Sequence, residues 1–268
     1  MNVSIVIPIY KPDKEILYKI EESLKKQKFN DKIEIIKVEK GLGLAESMNY
    51  GIKKAKYNII VTLHQDCVPE NEFWLETLVK PLRKEEVVAS VSRVYLPYEF
   101  WNKFDFIAKV MSAKEQRVIT PLLDEKGCAY KKEILMKVGL FNKKEFKTAG
   151  EDFDMYIKLK KEGGVVYPNC KVLHYHKHTG KNRFKKEIQL SEGFGVLVRK
   201  FKTKMPKYWI GLIKAIPIVG WPVFLINFPY RKWIFGGLFW IFFSIIVNFL
   251  YVYGFWKGFI KGEQKTRI

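Results

Sequence analysis

The stretch Asn58-Ile59-Ile60-Val61-Thr62-Leu63-His64-Gln65-Asp66-Cys67-Val68-Pro69 decides how the chain is read. Its opening run is apolar and β-branched, the pattern of a strand buried on both faces of a parallel sheet. Asp66 follows close behind, at the carboxyl end, where open α/β sheets bind ligands. Asp-x-Val-Pro is also good turn chemistry, so a turn-forming role stands beside metal or diphosphate binding.

Upstream, Val3-Ser4-Ile5-Val6-Ile7-Pro8 reads as a first buried strand. Asp13 caps an amphipathic helix carrying Ile16, Leu17, Ile20 and Leu24. Ile33 to Val38 is a second strand, and Leu44 to Ala55 a helix with Ala45, Met48, Ile52 and Ala55 on one face. This alternation predicts a mostly parallel sheet with crossover helices. Downstream, a helix is expected over Glu70 to Lys84 and a strand over Val87 to Val94. Residues 95–125 have no clean period and read either as connecting structure or as a cover over a substrate site. Glu151 opens a helix that Gly163-Gly164 stops, and Val165-Val166-Tyr167 and Lys171 to His174 look like strands.

The formal net charge of +20 calls for an anionic partner or surface. Residues 234–256 run without a charge, long enough at about 1.5 Å per residue to cross a roughly 30 Å hydrocarbon core. Trp233, Tyr253 and Trp256 near the ends suit interfacial anchors. A buried core helix is the alternative. Tyr208 to Tyr230 is apolar but carries Lys214, Pro217, Pro222 and Pro229, which fits a kinked span or an interfacial segment.

The cluster Arg199, Lys200, Lys202, Lys204 and Lys207 favours an anionic membrane surface and a catalytic domain on the cytoplasmic face, and with it nucleic acid loses ground as a partner. The chain therefore divides, in expectation, into a catalytic domain over residues 1–200, a basic juxtamembrane segment over 201–232 and a transmembrane helix with a basic tail over 233–268. Cys67, Cys128 and Cys170 are isolated, without metal-knuckle spacing, and read as reduced structural thiols.

The candidate chemistry lies in Asp66, in Glu151-Asp152 at a helix start, and in His174-Tyr175-His176 after a strand. Carboxylates and imidazoles of this kind suit a divalent cation and a general base. Asp152 and Glu151 equally suit the first turn of a helix, where the macrodipole favours acids. The basic run Lys181 to Lys186, with Arg183 inside it, reads as a solvated face or as a clamp on phosphates.

Taken in order, these residues resemble the family 2 glycosyltransferases, which have the nucleotide-sugar-binding GT-A fold. The resemblance spans about residues 3–180. Val3 to Tyr10 resembles the family's first strand and the turn that meets the nucleotide. Ile35-Ile36-Lys37-Val38-Glu39 is similar to its second strand, with Glu39 where Asp is usual. Gly43 to Gly51, carrying Asn49, resembles the helix beside the nucleotide. His64-Gln65-Asp66 falls on the DxD motif with only the last acid retained, a QD variant similar to the rhamnosyltransferase-like branch.

That resemblance implies donor contacts from Pro8, Tyr10, Glu39, Asn49, Gln65, Asp66 and Arg183. It also implies an acceptor-side segment at Gly127, Cys128 and Ala129, and a catalytic pair at Glu151 and Asp152 with Asp152 as base. Asp66, His174 and His176 become the candidate ligands of Mn²⁺ or Mg²⁺. The implied activity is inverting transfer from a nucleotide-sugar donor to a membrane-associated acceptor, a polyprenyl phosphate or lipid-linked glycan. An inactive membrane-anchored scaffold is the alternative that the incomplete DxD allows.

Overall fold

The computed structural model describes residues 1–113, 115, 123, 125–147, 149–205 and 207–264. Its elements begin with β1 (Val3–Pro8), α1 (Lys14–Lys25), β2 (Ile33–Val38), α2 (Leu44–Lys54), β3 (Ile59–Thr62), β4 (Cys67–Pro69) and α3 (Trp74–Val79). There follow β5 (Val87–Val91), β6 (Arg93–Tyr95), α4 (Tyr98–Trp101), α5 (Phe106–Ser112), β7 (Cys128–Lys131), α6 (Lys132–Lys137), α7 (Glu151–Glu162), β8 (Gly164–Val166) and β9 (Lys171–His174). The chain closes with α8 (Gly180–Phe201), α9 (Tyr208–Lys214), α10 (Trp221–Leu225) and α11 (Ile234–Lys261). It forms two compact units: residues 1–97, 118–142 and 152–176 make the first, and residues 98–117, 143–151 and 177–268 the second. Residues 177–200 thus lie with the C-terminal helices, and the second unit begins well before position 201.

The first unit is built on a six-stranded sheet of order β2-β1-β3-β7-β5-β8. β1 is parallel to β2 and β3, β5 is parallel to β8, and β7 is antiparallel to both β3 and β5. All strands of this sheet except β7 therefore share one direction, giving the mixed α/β architecture with a mostly parallel sheet that the alternation predicted. The period of two sends alternate residues to opposite faces. Val3, Ile5 and Ile7 pack with Ile16, Ile20 and Leu24 of α1 and with Trp74, Leu75 and Leu78 of α3. Val6 and Ile60 pack on the other face with Ala45, Met48 and Ile52 of α2, Leu135 of α6, and Met155 and Leu159 of α7. Asp13 caps α1 as expected, its carboxylate accepting from the amides of Glu15 and Ile16. Gly51 lets α2 approach β1, since a Cβ there would lie 2.3 Å from Val6 Cγ1.

Two elements are shorter than the sequence pattern suggests. The helix expected over Glu70 to Lys84 is α-helical only over Trp74–Val79 and tightens into a 3₁₀ turn at Lys80–Arg83, where Pro81 removes a backbone donor. The strand expected over Val87 to Val94 breaks at Ser92, and β6 joins a second, three-stranded sheet of order β4-β9-β6. Part of the patternless segment 95–125 lies outside the described residues; its described portion includes α4 and α5.

In the second unit α8 and α11 pack along each other. Phe184 lies beside Phe243, Ser191 beside Gly254, and Glu192 beside Gly258, so the two helices run parallel. Small residues make the approach possible. A Cβ at Gly258 would sit 1.9 Å from the Glu192 carbonyl oxygen, and one at Gly195 would sit 2.1 Å from that of Phe255. Because both obstacles are backbone, Gly258→Ala is expected to destabilise the unit by about 1–3 kcal/mol. A lowered Tm of the full chain is the readout, and an unchanged Tm would show that the helices are not packed this closely. Tyr208 to Tyr230 holds no spanning helix: α9 has seven residues and α10 five, and the prolines interrupt them. Only α11, with 28 residues, is long and apolar enough to cross a membrane among the described helices.

Candidate active site

The parallel strands β1, β2 and β3 end together, with Val6 opposite Thr62 and Pro8 opposite Val38. The residues that follow them, Tyr10, Glu39 and Gln65-Asp66, therefore collect at one carboxyl edge of the sheet. β7 enters from this same edge, because Cys128 pairs with Thr62 on one side and Val91 on the other.

The second sheet brings the histidines to Asp66. β4 and β9 pair antiparallel with Cys67 opposite His174, and the Tyr175 amide donates to the Asp66 carbonyl at 2.8 Å. His174 ends β9 and His176 lies two residues on. Residues two apart share a face of an extended chain, and the two rings stack with centroids 5.7 Å apart and planes 18° apart. His176 Nδ1 is 2.9 Å from Asp66 Oδ2, and His174 Nε2 is 3.4 Å from the same oxygen. One ligand atom from each of these residues falls within 4.8 Å of the others. His178 goes elsewhere: it is buried in the second unit, edge-on to Phe104.

Burial pushes the Asp66 carboxyl up, but the charge and hydrogen bonds of His174 and the bond from His176 pull it further down, to well below the usual carboxylate range. Burial lowers His174, against the pull of Asp66, and so keeps its imidazole neutral at neutral pH. An ionised carboxylate beside a neutral imidazole is the protonation state in which both groups can bind a metal.

The other candidates fall into three groups. Gln65 and Asn49 both brace backbone. Gln65 accepts from the Tyr10 amide at 2.7 Å and donates to the Tyr10 carbonyl at 2.8 Å, fixing the turn after β1. Asn49 does the same to Phe141, at 2.9 and 2.8 Å. Each amide keeps one hydrogen and one lone pair for a ligand. Pro8 ends β1 half-buried, while Tyr10 and Glu39 are exposed at the sheet edge.

Burial distinguishes the remaining candidates. Cys128 and Ala129 are fully buried inside the sheet, so their side chains do not reach an acceptor. Gly127 precedes them at the sheet edge and accepts from the Ser92 amide. Glu151 belongs to the second unit and is 4% exposed, whereas Asp152, its neighbour, is half-buried and accepts from the Phe153 amide at 2.7 Å. Arg183, expected on the diphosphate, is buried on α8 and bonded to Glu115 at 2.5 Å. Burial would raise the Glu115 carboxyl, but Arg183 and then Lys186 bring it down to about 2, so the pair is ionised, with Arg183 buried and Glu115 partly exposed.

Residues 13–139 match the model of the family described as Glycosyl transferase family 2. The chain carries a glycosyl transferase family 2 domain. This transferase is similar to the structure of the mannosyltransferase PcManGT from Pyrobaculum calidifontis in complex with GDP-Man and Mn²⁺, at a TM-score of 0.59 and 13% identity over 96% of this chain and 86% of that one. It is also similar to GalNAc-T7 with UDP, GalNAc and Mn²⁺, at a TM-score of 0.57 and 14% identity over 81% of this chain and 52% of that one. At these identities the likeness is one of fold. A comparison of the transferase with curated proteins found no match.

Proposed function

We propose that the transferase moves a glycosyl group, with inversion, from a nucleotide-sugar donor to a membrane-associated acceptor, a polyprenyl phosphate or lipid-linked glycan. The observation that carries this reading is the convergence of Asp66, His174 and His176 at the carboxyl edge of the sheet. The Mn²⁺ and nucleotide or nucleotide sugar in the two similar structures support it.

The donor set fits a divalent cation: one ionised carboxylate and two imidazoles close enough to share it, although the DxD motif has lost its first acid. When bound, the cation offsets the charge that develops on the departing nucleoside diphosphate. Two nitrogen ligands favour Mn²⁺ over Mg²⁺, which prefers oxygen. Asp152 takes the proton of an acceptor hydroxyl. Gln65 holds Tyr10 in place for the nucleotide, and the apolar α11 keeps the enzyme at the membrane, where a lipid acceptor is concentrated.

The test is a panel of nucleotide sugars incubated with membrane vesicles and Mn²⁺ or Mg²⁺. Organic-extractable labelled product with Mn²⁺, and at least about tenfold less with Mg²⁺, is expected. A purely aqueous product removes the lipid acceptor, and equal rates with both ions remove the imidazole ligands. Protons compete for the imidazoles, so apparent Mn²⁺ affinity should fall by up to about tenfold per bound proton for each pH unit once pH drops below the His174 pKa. As burial lowers that pKa, the share of the fall due to His174 should set in below the usual imidazole range.

A further inference from the structure

By length α11 can span a bilayer, but its neighbour makes that orientation costly. α8 runs parallel to it along most of its apolar length, from Phe184 beside Phe243 to Arg199, whose guanidinium bonds the carbonyls of Phe259 and Ile260. α8 carries Lys181, Lys185, Arg199 and Lys200 exposed and Lys186 and Glu187 half-buried. Its Glu192 is fully buried against α11 and paired with Lys257 at 3.2 Å. A spanning α11 would take the charges of the first half of α8, around Phe184 beside Phe243, into hydrocarbon with it, where each is strongly disfavoured.

The exposed face of α11 has the opposite character. Ile234, Leu238, Phe242, Ile245, Phe249, Tyr253, Trp256 and Ile260 recur at three or four residues and form one apolar stripe down the whole helix. Ile234 is 74% exposed and Ile260 71%, so the stripe is open at both ends. α9 and α10 are tied to a flank of α11: Asn248 and Trp256 donate to the carbonyls of Lys214 and Ala215, and Trp240 to that of Phe224. They add exposed Trp209, Ile210, Ile213 and Ile226. Residues 193–262 contain ten Lys and Arg and no Asp or Glu. An apolar stripe on a segment this rich in cations, with Glu192 buried behind it rather than beside it, matches a negatively charged lipid surface rather than another protein core.

We propose that α11 lies in the plane of an anionic lipid surface, stripe inward, with α8 on the aqueous side, so that the second unit is a monotopic anchor. This deepens the membrane reading above without relying on transfer activity, so the two can fail separately. The test places single cysteines at Leu238, Ile245, Phe249 and Ile260 of the full chain and labels each with an environment-sensitive fluorophore. Cys67, Cys128 and Cys170 are buried and remain unlabelled in the folded protein.

Depth is then read by quenchers placed shallow and deep in vesicles containing about a quarter anionic lipid. All four positions are expected at one shallow depth, with binding at least about tenfold weaker to vesicles of zwitterionic lipid alone. Deep quenching that peaks at Ile245 and falls towards Leu238 and Ile260 would mean a spanning helix and overturn the proposal. So would labels that ignore vesicles while the chain sediments as a dimer, which would assign the stripe to a second copy. Binding that is indifferent to anionic lipid would overturn the part assigned to the lysines.

Discussion

Asp66→Ala is expected to lower kcat/KM by about 10³-fold, roughly 4 kcal/mol of transition-state stabilisation, and to raise sharply the Mn²⁺ concentration needed for activity. Asp66 is the residue on which both imidazoles converge, at 2.9 and 3.4 Å. Removing it takes away the anionic ligand and leaves two neutral ones, which bind a divalent cation far more weakly. The backbone bond from Tyr175 to the Asp66 carbonyl is independent of the side chain, so β4 and β9 should stay paired. Kinetics with titrated Mn²⁺, with Tm as the control for folding, makes the check. Full activity with an unchanged Mn²⁺ dependence would remove the cluster from the mechanism. His174→Ala and His176→Ala should each weaken Mn²⁺ less than Asp66→Ala, because each removes a neutral ligand.

Asp152→Asn is expected to reduce kcat by about 10³-fold with an acceptor that reacts through a hydroxyl, while KM for the nucleotide sugar changes little. The amide keeps the shape of the carboxylate and can still accept from the Phe153 amide, but it cannot take a proton. The same variant reads the acceptor class. A phosphate acceptor is already ionised near neutral pH and needs no base, so a loss under about tenfold would assign Asp152 to orientation and the acceptor to the phosphate class. Transfer to the native acceptor, followed at saturating donor, separates the two results.

Much of the sheet was legible because its first three strands are apolar runs bounded by turn and cap residues. Asp13, Gly163 and the runs at Val3, Ile33 and Ile59 each act within a few residues, and local patterning captures such effects. β7 was not legible as a reversed central strand. Cys128–Lys131 is only four residues long, and strand direction leaves no mark on periodicity. α8 was hidden for a different reason: its apolar positions are interleaved with the charges of Lys181 to Lys186 and Arg199 to Lys200, so the ends read as basic clusters. The roles of Cys128, Ala129 and Arg183 turned on burial, which depends on what packs around a residue.

By itself the sequence determined the alternation of strands and helices, the carboxylate at the end of β3, and the uncharged 23-residue run near the C-terminus, because each is written in neighbouring residues. Only the tertiary structure decided that Asp66 meets His174 and His176 across 108 and 110 positions, that Arg183 is spent on Glu115, and that charged α8 runs beside α11. Those outcomes follow from strand register and helix packing, which are settled by the collective burial of apolar surface and by no single stretch of chain.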